Sequence, residues 1–546
     1  MTPDRLLALY DRVAETPDAI PRLRRFVLDL AVRGKLVEQD PADEPASAAL
    51  KRIKAAQKLA PVSGRTSKQR LVDRSLTELP FALPDGWSVA RLSELVRVVN
   101  GRAYKKSELL DQGTPVLRVG NLFTSQNWYY SNLQLEDDKY CDEGDLIYAW
   151  SASFGPFIWS GARVIYHYHI WKLPLFSETD LAKQFLYLFL LQKTREIKDA
   201  GHGISMVHMT KEKMEQLAVP LPPLAEQRRI VAKVDELMAL CDRLEAARGA
   251  REATRDRLTT ASLARLTAPT PEPATFRRHA RFALDTLPAL TTRPDQLKPL
   301  RQTILNLAVR GKLVEQVANE EPIPLFDAKM RGDIEPPFSI PAKWRWSRLS
   351  ALGRLRGGGT PSKARDEFWN GNIPWISPKD MKVDYIADAQ MSITEAAIAE
   401  SAVNLIEPKS VLFVVRGMIL AHSFPVAIAQ IPLTINQDMK AVELEMPNMV
   451  EYLLRALKGL KPEMLARVQR SSHGTCRIES SDYANFLIPL PPLAEQHRIV
   501  AKVDALMALC DRLEAAVATA DTTRRRLLEA LLHEALTPAA SSEAAA

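Results

Sequence analysis

The chain has few cysteines and no long apolar run. Its four cysteines are Cys141, Cys241, Cys476 and Cys510, and none belongs to a C-x-x-C pair, which excludes a zinc ribbon or a dithiol redox motif and favours a reducing compartment. No stretch of 18 or more apolar residues occurs, and the first residues lack the apolar core of a signal peptide. These absences predict a cytoplasmic protein without a membrane span.

Signatures of catalysis are missing as well. The glycine run Gly357–Lys363 does not have the G-x-x-x-x-G-K-[ST] spacing of a phosphate loop. The sequence contains no N/D-P-P-Y/F methyltransfer motif and no convincing glycine-rich methyl-donor loop. His202 and His208 show no paired ligand pattern. We therefore expect no catalytic residue, no metal site and no cofactor bound by this chain.

Length and charge set broad limits on the protein. With 546 residues the chain is expected to form two to four domains, and its 46% of hydrophobic residues is enough for more than one core. The net charge of +7 and the pI near 9.0 suit an acidic partner such as DNA. A positive charge this small does not by itself identify DNA as the partner.

Three segments of the chain occur twice, in the same order. The pairs are Val219–Ala247 with Ile488–Ala516, Leu30–Gln39 with Leu307–Gln316, and Leu83–Leu95 with Ile340–Leu352. In the first pair 26 of 29 positions are identical, whereas the globular segments differ apart from their first strand. Gene duplication with uniform drift would blur helix and globule alike. The contrast is typical of two different readers on one symmetric frame.

The most similar pair predicts a long helix with a coiled-coil seam. Pro222, Pro223 and Glu226 suit a helix start, and apolar residues then alternate spacings of four and three. Each helix of about 40 residues would extend about 60 Å. The other copy, packed antiparallel, is the expected partner of each seam. The seam residues are Ile230, Val234, Leu237, Cys241 and Leu244 in the first copy and Ile499, Val503, Leu506, Cys510 and Leu513 in the second.

The identical ten-residue pair predicts a short helix that ends at a glycine. In the first copy Phe26, Val27 and Leu30 lie on one face, and Gly34 follows as a left-handed cap. The second copy has the same pattern before Gly311. A short apolar helix has to be covered, so we expect this arm to pack on the long helices or on a partner subunit.

The fold class predicted from these patterns is α+β, with an internal pseudo-twofold repeat. Two mixed α/β domains would be joined by two long antiparallel coiled-coil helices. The predicted order is an N-terminal helical arm at 1–60, a first globule at 80–222, a central long helix at 223–268, a second helical arm at 276–320, a second globule at 335–491 and a C-terminal long helix at 492–537.

These motifs together resemble the specificity subunits of type I restriction–modification enzymes. The resemblance rests on both copies of PLPPLAEQ-x-R-IVAKVD, both copies of LAVRGKLV, and the segments Gly144–Gly155 and Gly357–Met381, and it covers about residues 20–530. It implies a subunit without catalytic activity, in which two target-recognition domains each read one half of a bipartite DNA site. Because the globules differ, the half-sites would differ and the site would be asymmetric.

The resemblance also implies partners. They are double-stranded DNA, two modification (methyltransferase) subunits and restriction (translocase-nuclease) subunits. S-adenosylmethionine, ATP and Mg are then expected in the partner subunits.

DNA contacts are expected in the basic and polar clusters of both globules. Arg and Asn are the natural partners of guanine and adenine edges, Lys more often holds phosphate, and glycine lets backbone approach a phosphate. The candidate residues are Arg102, Lys105, Lys106, Arg118, Asn121 and His202 in the first globule, and Thr360, Ser362, Lys363, Arg365, Lys379, Arg416, His473 and Arg477 in the second.

Two other functions fit part of the pattern. One is a self-contained DNA methyltransferase or nuclease with its own recognition domains, against which the missing motifs weigh. The other is an adaptor whose coiled coil only bridges proteins. Salt-dependent DNA binding would separate the adaptor from a DNA reader, because neutralising phosphates makes affinity fall steeply with salt.

Overall fold

The computed structural model of the chain describes residues 16, 18–59, 79–151, 154–200, 209–268, 273–324, 326, 336–470 and 474–536. The chain divides into two compact units: unit 1 contains Met1–Ala250 and Thr522–Ala546, and unit 2 contains Arg251–Asp521. Among the helices in these ranges, none combines the length and apolar character that a membrane span requires.

Two helices of 44 residues each, Leu224–Thr267 and Leu493–Leu536, confirm the predicted long helices. The first long helix begins in unit 1 and ends in unit 2, and the second begins in unit 2 and ends in unit 1. Each long helix therefore connects the two units, and the chain order of the units is reversed between the first helix and the second.

Each unit contains one helical arm that ends in the predicted glycine cap. Gly34 and Gly311 both have φ of +67°, the left-handed region in which glycine carries no steric penalty. A Cβ on either glycine would also lie 2.4 Å from the Cγ of a proline, Pro84 or Pro341. The arm helices are Ala19–Val32 and Ala46–Leu59 in unit 1 and Pro273–Leu290 and Leu297–Val309 in unit 2.

The seam of each long helix packs first against the arm of the unit in which that helix begins. Ile230 and Val234 are buried in one cluster with Val27 and Leu28 of the first arm. The equivalent residues of unit 2 are Ile499, Val503 and Cys510, buried with Ile304 and Ala308. The arm therefore packs on the long helices, as one of the two predicted alternatives has it, and along these turns the residues clustered with the seam come from the arm, whereas neither cluster contains a described residue of the other long helix, the expected partner. Burial raises the pKa of the Cys241 and Cys510 thiols, which act as small apolar residues.

The C-terminal end of the second long helix packs on the first arm, within unit 1. Leu528 and Leu531 form a small cluster with Ala19. Lys35, directly after the glycine cap, donates from Nζ to the carbonyl of Leu536 at 2.8 Å. A lysine in this position satisfies a free C-terminal carbonyl and complements the negative end of the helix dipole.

Unit 2 repeats this arrangement with the end of the first long helix. Leu263 and Leu266 are buried with Leu307 of the second arm. Lys312 Nζ donates to the carbonyl of Ala268 at 2.8 Å. The identical ten-residue segments thus each hold the end of a long helix, which explains why both copies keep the lysine.

A buried glutamate joins arm, globule and long helix in each unit. Glu226, in the first turn of the long helix, is 1% exposed and accepts hydrogen bonds at 3.0 Å from Trp87 Nε1 and from Gln39 Nε2. The equivalent residues in unit 2 are Glu495, Trp344 and Gln316. Residues from all three repeated segments therefore meet at one point in each unit.

The first globule contains two four-stranded sheets, ordered β2-β9-β6-β7 and β4-β3-β8-β5. A further antiparallel pair, β1 with β10, joins its first and last strands directly before the long helix. The helix Lys183–Ala200 covers one sheet. The strands are β1 (Ser88–Arg91), β2 (Val99–Asn100), β3 (Thr114–Leu117), β4 (Tyr129–Ser131), β5 (Tyr140–Cys141), β6 (Leu146–Ala149), β7 (Gly155–Ile158), β8 (Val164–Tyr166), β9 (Ile170–Lys172) and β10 (Ala218–Leu221).

The second globule has a five-stranded sheet, β12-β20-β17-β18-β14, and a four-stranded sheet, β15-β13-β19-β16. Strands β11 and β23 form a two-stranded sheet of their own, as do β21 and β22. The helix Val450–Gly459 packs on the five-stranded sheet. The strands are β11 (Arg345–Arg348), β12 (Gly353–Gly357), β13 (Trp369–Ile376), β14 (Tyr385–Ile386), β15 (Ser392–Ile393), β16 (Leu405–Ile406), β17 (Val411–Val414), β18 (Val426–Ala429), β19 (Leu433–Ile435), β20 (Met439–Leu444), β21 (Gln469–Arg470), β22 (Cys476–Arg477) and β23 (Leu487–Leu490).

Candidate nucleic-acid interface

The two globules share one scaffold although their sequences differ. In the first, β3 runs parallel to β8, with Leu117 opposite Tyr166. In the second, β13 runs parallel to β19, with Ile376 opposite Ile435. In the same way β6 lies between β7 and β9, and β17 lies between β18 and β20. Equivalent loops therefore follow equivalent strands.

One glycine in each globule brings two of these loops together. A Cβ on Gly101, after β2, would lie 2.4 Å from the carbonyl oxygen of His167, and one on Gly358, after β12, would lie 1.9 Å from that of Asn436. Only glycine fits, because a backbone carbonyl occupies the space. The two glycines are 257 residues apart, which is also the offset between Leu83–Leu95 and Ile340–Leu352, so the sequence held a signal for this equivalence.

The loops at this end of the first globule form what we call loop surface 1. It consists of Gly101–Lys106, Arg118–Asn121, Trp150 and the turn His167–His169. Trp150 Nε1 donates to the carbonyl of Tyr168 at 2.8 Å, and the Tyr104 ring stacks on His167 with centroids 6.4 Å apart. The histidine turn was not among the predicted site residues.

Loop surface 1 combines the exposed Arg118 with two histidines whose pKa values are lowered. Burial, His169 and the nearby Arg118 guanidinium lower the pKa of His167 to about 4. Burial and Arg118 lower the pKa of His169 too. Arg118 is exposed and lies over the ring of Tyr129, while Tyr168 is 40% exposed. At neutral pH His167 is uncharged, so its ring can take part in neutral hydrogen bonds to base edges.

The equivalent loops of the second globule form loop surface 2. It consists of Gly358–Lys363, Ser377–Asp380, Arg416–Ser423, Asn436–Asp438 and the paired strands β21 and β22. Thr360 Oγ1 donates a hydrogen bond to Gln437 Oε1, and the backbone N–H of Arg416 donates to the carbonyl of Asp438 at 3.2 Å. Arg416 and Arg477 are paired through a β-bridge, and their side chains are 56% and 51% exposed.

The structure places the predicted residues of the first globule in different environments. Lys105 and Lys106 are exposed beside Arg102, whose guanidinium is held by both carboxylate oxygens of Glu108 at 3.1 and 2.9 Å. Asn121 accepts from the backbone N–H of Arg118 at 3.1 Å and so fixes the turn that carries this arginine. His202 lies outside the described residues.

In the second globule most predicted residues lie on loop surface 2. Arg365 is an exception, because it packs on the Phe368 ring and forms ion pairs with Glu367 and Glu400 at 2.7 and 2.8 Å. His473 lies outside the described residues. The residues on loop surface 2 are Thr360, Ser362, Lys363, Lys379, Arg416 and Arg477, all of which are exposed.

We predict that Gly358→Ala distorts loop surface 2 without unfolding the globule. The new methyl group would overlap the Asn436 carbonyl, so the Gly358–Lys363 loop has to move away from the turn. DNA affinity should fall about tenfold or more, because base contacts depend on loop position. Fluorescence anisotropy would measure it, with circular dichroism to verify the fold.

Gly249→Ala is the matched control for this substitution. Gly249 lies in the first long helix, and a Cβ there would meet nothing within 4 Å. Alanine should stabilise the helix by about 0.5–1 kcal/mol and leave DNA affinity unchanged. Equal affinities for the wild type and Gly358→Ala would contradict the prediction.

Across the described residues, no group of three or more His, Cys, Asp or Glu side chains is arranged to hold a metal ion.

Comparison with known proteins identifies the class. The chain belongs to the family of the type I restriction modification DNA specificity domain, whose model matches residues 84–251 and 341–519. The two matched regions contain the two globules, each with the beginning of its long helix.

The chain is similar to type I specificity subunits along nearly its whole length. It is 26% identical over 587 aligned residues to the EcoAI specificity subunit of Escherichia coli, covering 95% of this chain and 94% of that protein. It is also 26% identical to the EcoEI specificity subunit of Escherichia coli, with the same coverage of both proteins. A chain from a structural study of type I R-M complex assembly and conformational transition matches with a TM-score of 0.50 at 21% identity, covering 84% of this chain and 100% of that chain.

Proposed function

We propose that the chain reads an asymmetric, bipartite DNA site and is the scaffold for the methyltransferase and restriction subunits of a type I restriction–modification complex. One observation carries this proposal. Two globules with a common strand scaffold present different residues at equivalent loops, and both are attached to long helices whose first halves are nearly identical.

The difference between the loops supports two different half-sites. At the turn between equivalent strands, loop surface 1 has His167–His169 and loop surface 2 has Asn436–Asp438. Imidazole, amide and carboxylate groups offer different donor and acceptor patterns to base edges. We propose that Arg118 and Arg416 contact bases or phosphates beside these turns. The carboxylates around Arg102 and Arg365 favour a role for these two in shaping their loops.

The exposed faces of the long helices support a pair of identical partners. Leu240 and Leu509 occupy the same position in the 29-residue repeat and are 40% and 41% exposed. Packing within the chain does not account for keeping a solvent-facing leucine twice. An apolar residue repeated on equivalent surfaces favours one copy of the same partner on each helix. We propose that these partners are two methyltransferase subunits.

We propose that catalysis and cofactors belong to those partners. S-adenosylmethionine would be bound by the methyltransferase subunits and ATP with Mg²⁺ by the restriction subunits. The complex would act in the cytoplasm, where its DNA substrate is found.

Reconstitution with the cognate methyltransferase subunit tests this function. The chain with that subunit should methylate one asymmetric bipartite motif, mapped by methylation-aware sequencing, and native mass spectrometry should show two methyltransferase subunits per chain. Leu240→Asp or Leu509→Asp should each reduce this number to one, because a carboxylate opposes burial of that surface. Val383→Asp, at a residue 57% exposed in the second globule, is the control and should keep both.

Two outcomes would contradict the proposal. Methyl transfer by the purified chain alone would favour the self-contained enzyme. DNA binding that does not weaken as salt is raised would favour the protein adaptor, since phosphate contacts always release counterions.

A further inference from the structure

One loop of the second globule is longer than its equivalent in the first. Trp150 and Val415 are equivalent, because their N–H groups donate to the carbonyls of His169 and Asp438 at 3.0 and 2.8 Å. Three residues separate Trp150 from Phe154, and eight separate Val415 from Phe424. The five additional residues belong to loop surface 2 and have no counterpart on loop surface 1.

The longer loop ends in apolar side chains that face solvent. Met418 is 61% exposed and Ile419 is 38% exposed, whereas Leu420 beside them is 1% exposed and anchors the loop in the core. An exposed methionine at the tip is unfavourable for the free protein, because an apolar side chain is stabilised when it is removed from water. A binding partner that covers the tip would recover that free energy.

The backbone holds this tip in a fixed position. The N–H of Gly417 donates to the carbonyl of Cys476 on β22 at 2.9 Å, and the N–H of Ser423 donates to that of Ile419 at 2.8 Å. Gly417 has φ of +131°, a conformation that favours glycine and turns the chain outward. A tip supported in this way loses little conformational entropy on binding.

The surroundings of the tip are basic. Arg416 and Arg477 lie at its base, and Arg470 is exposed on the paired strand β21. Two carboxylates accompany them, Asp438 at 4.0 Å from Arg416 and Glu479 at 2.7 Å from Arg477. Three arginines against two carboxylates leave a positive balance, which suits a duplex whose phosphates flank a groove. An apolar tip between cations matches DNA better than an apolar protein surface.

We propose that Met418 reads a thymine in the half-site bound by the second globule, by van der Waals contact with the C5 methyl group. This inference rests on the proposed function and names a residue for its specificity. An apolar side chain can distinguish bases only through an apolar group, and in the major groove that group is the thymine methyl. The arginines at the base of the loop would bind the adjacent phosphates.

A double-mutant cycle between protein and DNA tests the contact. The chain, assembled with its methyltransferase subunits, is titrated with a duplex of the mapped site. It is also titrated with a set of duplexes, in each of which one thymine is replaced by deoxyuridine. Met418→Ala should weaken binding of the thymine duplex about tenfold, and one deoxyuridine should weaken wild-type binding about fourfold, as expected for burial of a side chain and of one methyl group. That deoxyuridine should change Met418→Ala binding less than twofold.

Controls separate this contact from general effects. Met391→Ala removes a 45% exposed methionine from the same globule and should keep wild-type affinity and the full deoxyuridine effect. Met418→Leu, which keeps the apolar volume, should keep most of the affinity. Met418→Ala should also leave the salt dependence of binding unchanged, because no phosphate contact is lost.

Two results would overturn the inference: no thymine whose methyl group affects binding, or deoxyuridine effects of equal size in wild type and Met418→Ala. Equal deoxyuridine effects in the two proteins would favour insertion of the Met418 side chain between base pairs instead. Failure of the proposed function looks different, because the wild-type complex would then bind the mapped duplex no better than a scrambled one.

Discussion

A fragment that contains residues 1–268 should form a homodimer. In the full chain the first arm holds the end of the second long helix through Ala19, Leu528 and Leu531, with Lys35 bonded to the last carbonyl. The fragment lacks that helix and leaves the arm uncovered. It retains its own helix end, with Leu263 and Leu266, which in the full chain packs on the equivalent arm of unit 2. Because the two arms share ten identical residues, each fragment should hold the helix end of the other.

Native mass spectrometry should therefore show twice the mass of one fragment. Ala19→Asp, at a position only 1% exposed, would place a charge in the contact and should give monomers, while Gly249→Ala should not affect pairing. With methyltransferase subunits, the dimer should methylate a symmetric site made of two copies of one half-site. A wild-type fragment that is monomeric at micromolar concentration would show that the arm does not hold the helix end strongly.

The double substitution Arg416→Glu with Arg477→Glu should nearly abolish DNA binding through the second globule. Both side chains are more than half exposed and face the same surface, so two cations would be replaced by two anions beside the phosphates. We expect affinity to fall on the order of 100-fold at low salt, and the slope of log affinity against log salt to decrease in magnitude by about two.

Anisotropy titrations over a series of salt concentrations would measure both quantities. Arg354→Glu is the matched control, because Arg354 is exposed on the same globule at the opposite end of β12 from loop surface 2. It changes the net charge but should leave the salt slope nearly as in the wild type. A similar loss for Arg354→Glu would mean that net charge matters and the position of the arginines does not.

The frame of this protein could be predicted from the sequence because it is encoded twice. Gly34 and Gly311 indicated the ends of the arms, and the spacing of Ile230, Val234 and their repeats indicated a buried helix face. The periodicity did not reveal what covers that face, since a hydrophobic stripe packs equally well on any apolar helix. The arm covers it because the apolar face of the arm, with Val27 and Leu28, packs on it.

The candidate site was harder to predict. Arg102 and Arg365 resembled free cations in the sequence, but turns bring Glu108 and Glu400 to them, and such turns depend on local backbone geometry. His167–His169 was missed because an isolated histidine-rich turn has no pattern of its own. The tertiary fold, which sets Gly101 against the His167 carbonyl, brings this turn to loop surface 1.

The pairing of β1 with β10, and of β11 with β23, has one more consequence. The entry and exit of each globule lie side by side, on antiparallel strands that precede the long helix. Everything between these strands can change in length and sequence while the attachment points stay where they are. We therefore expect that either globule can be exchanged for another with the same attachment strands without redesigning the rest of the subunit.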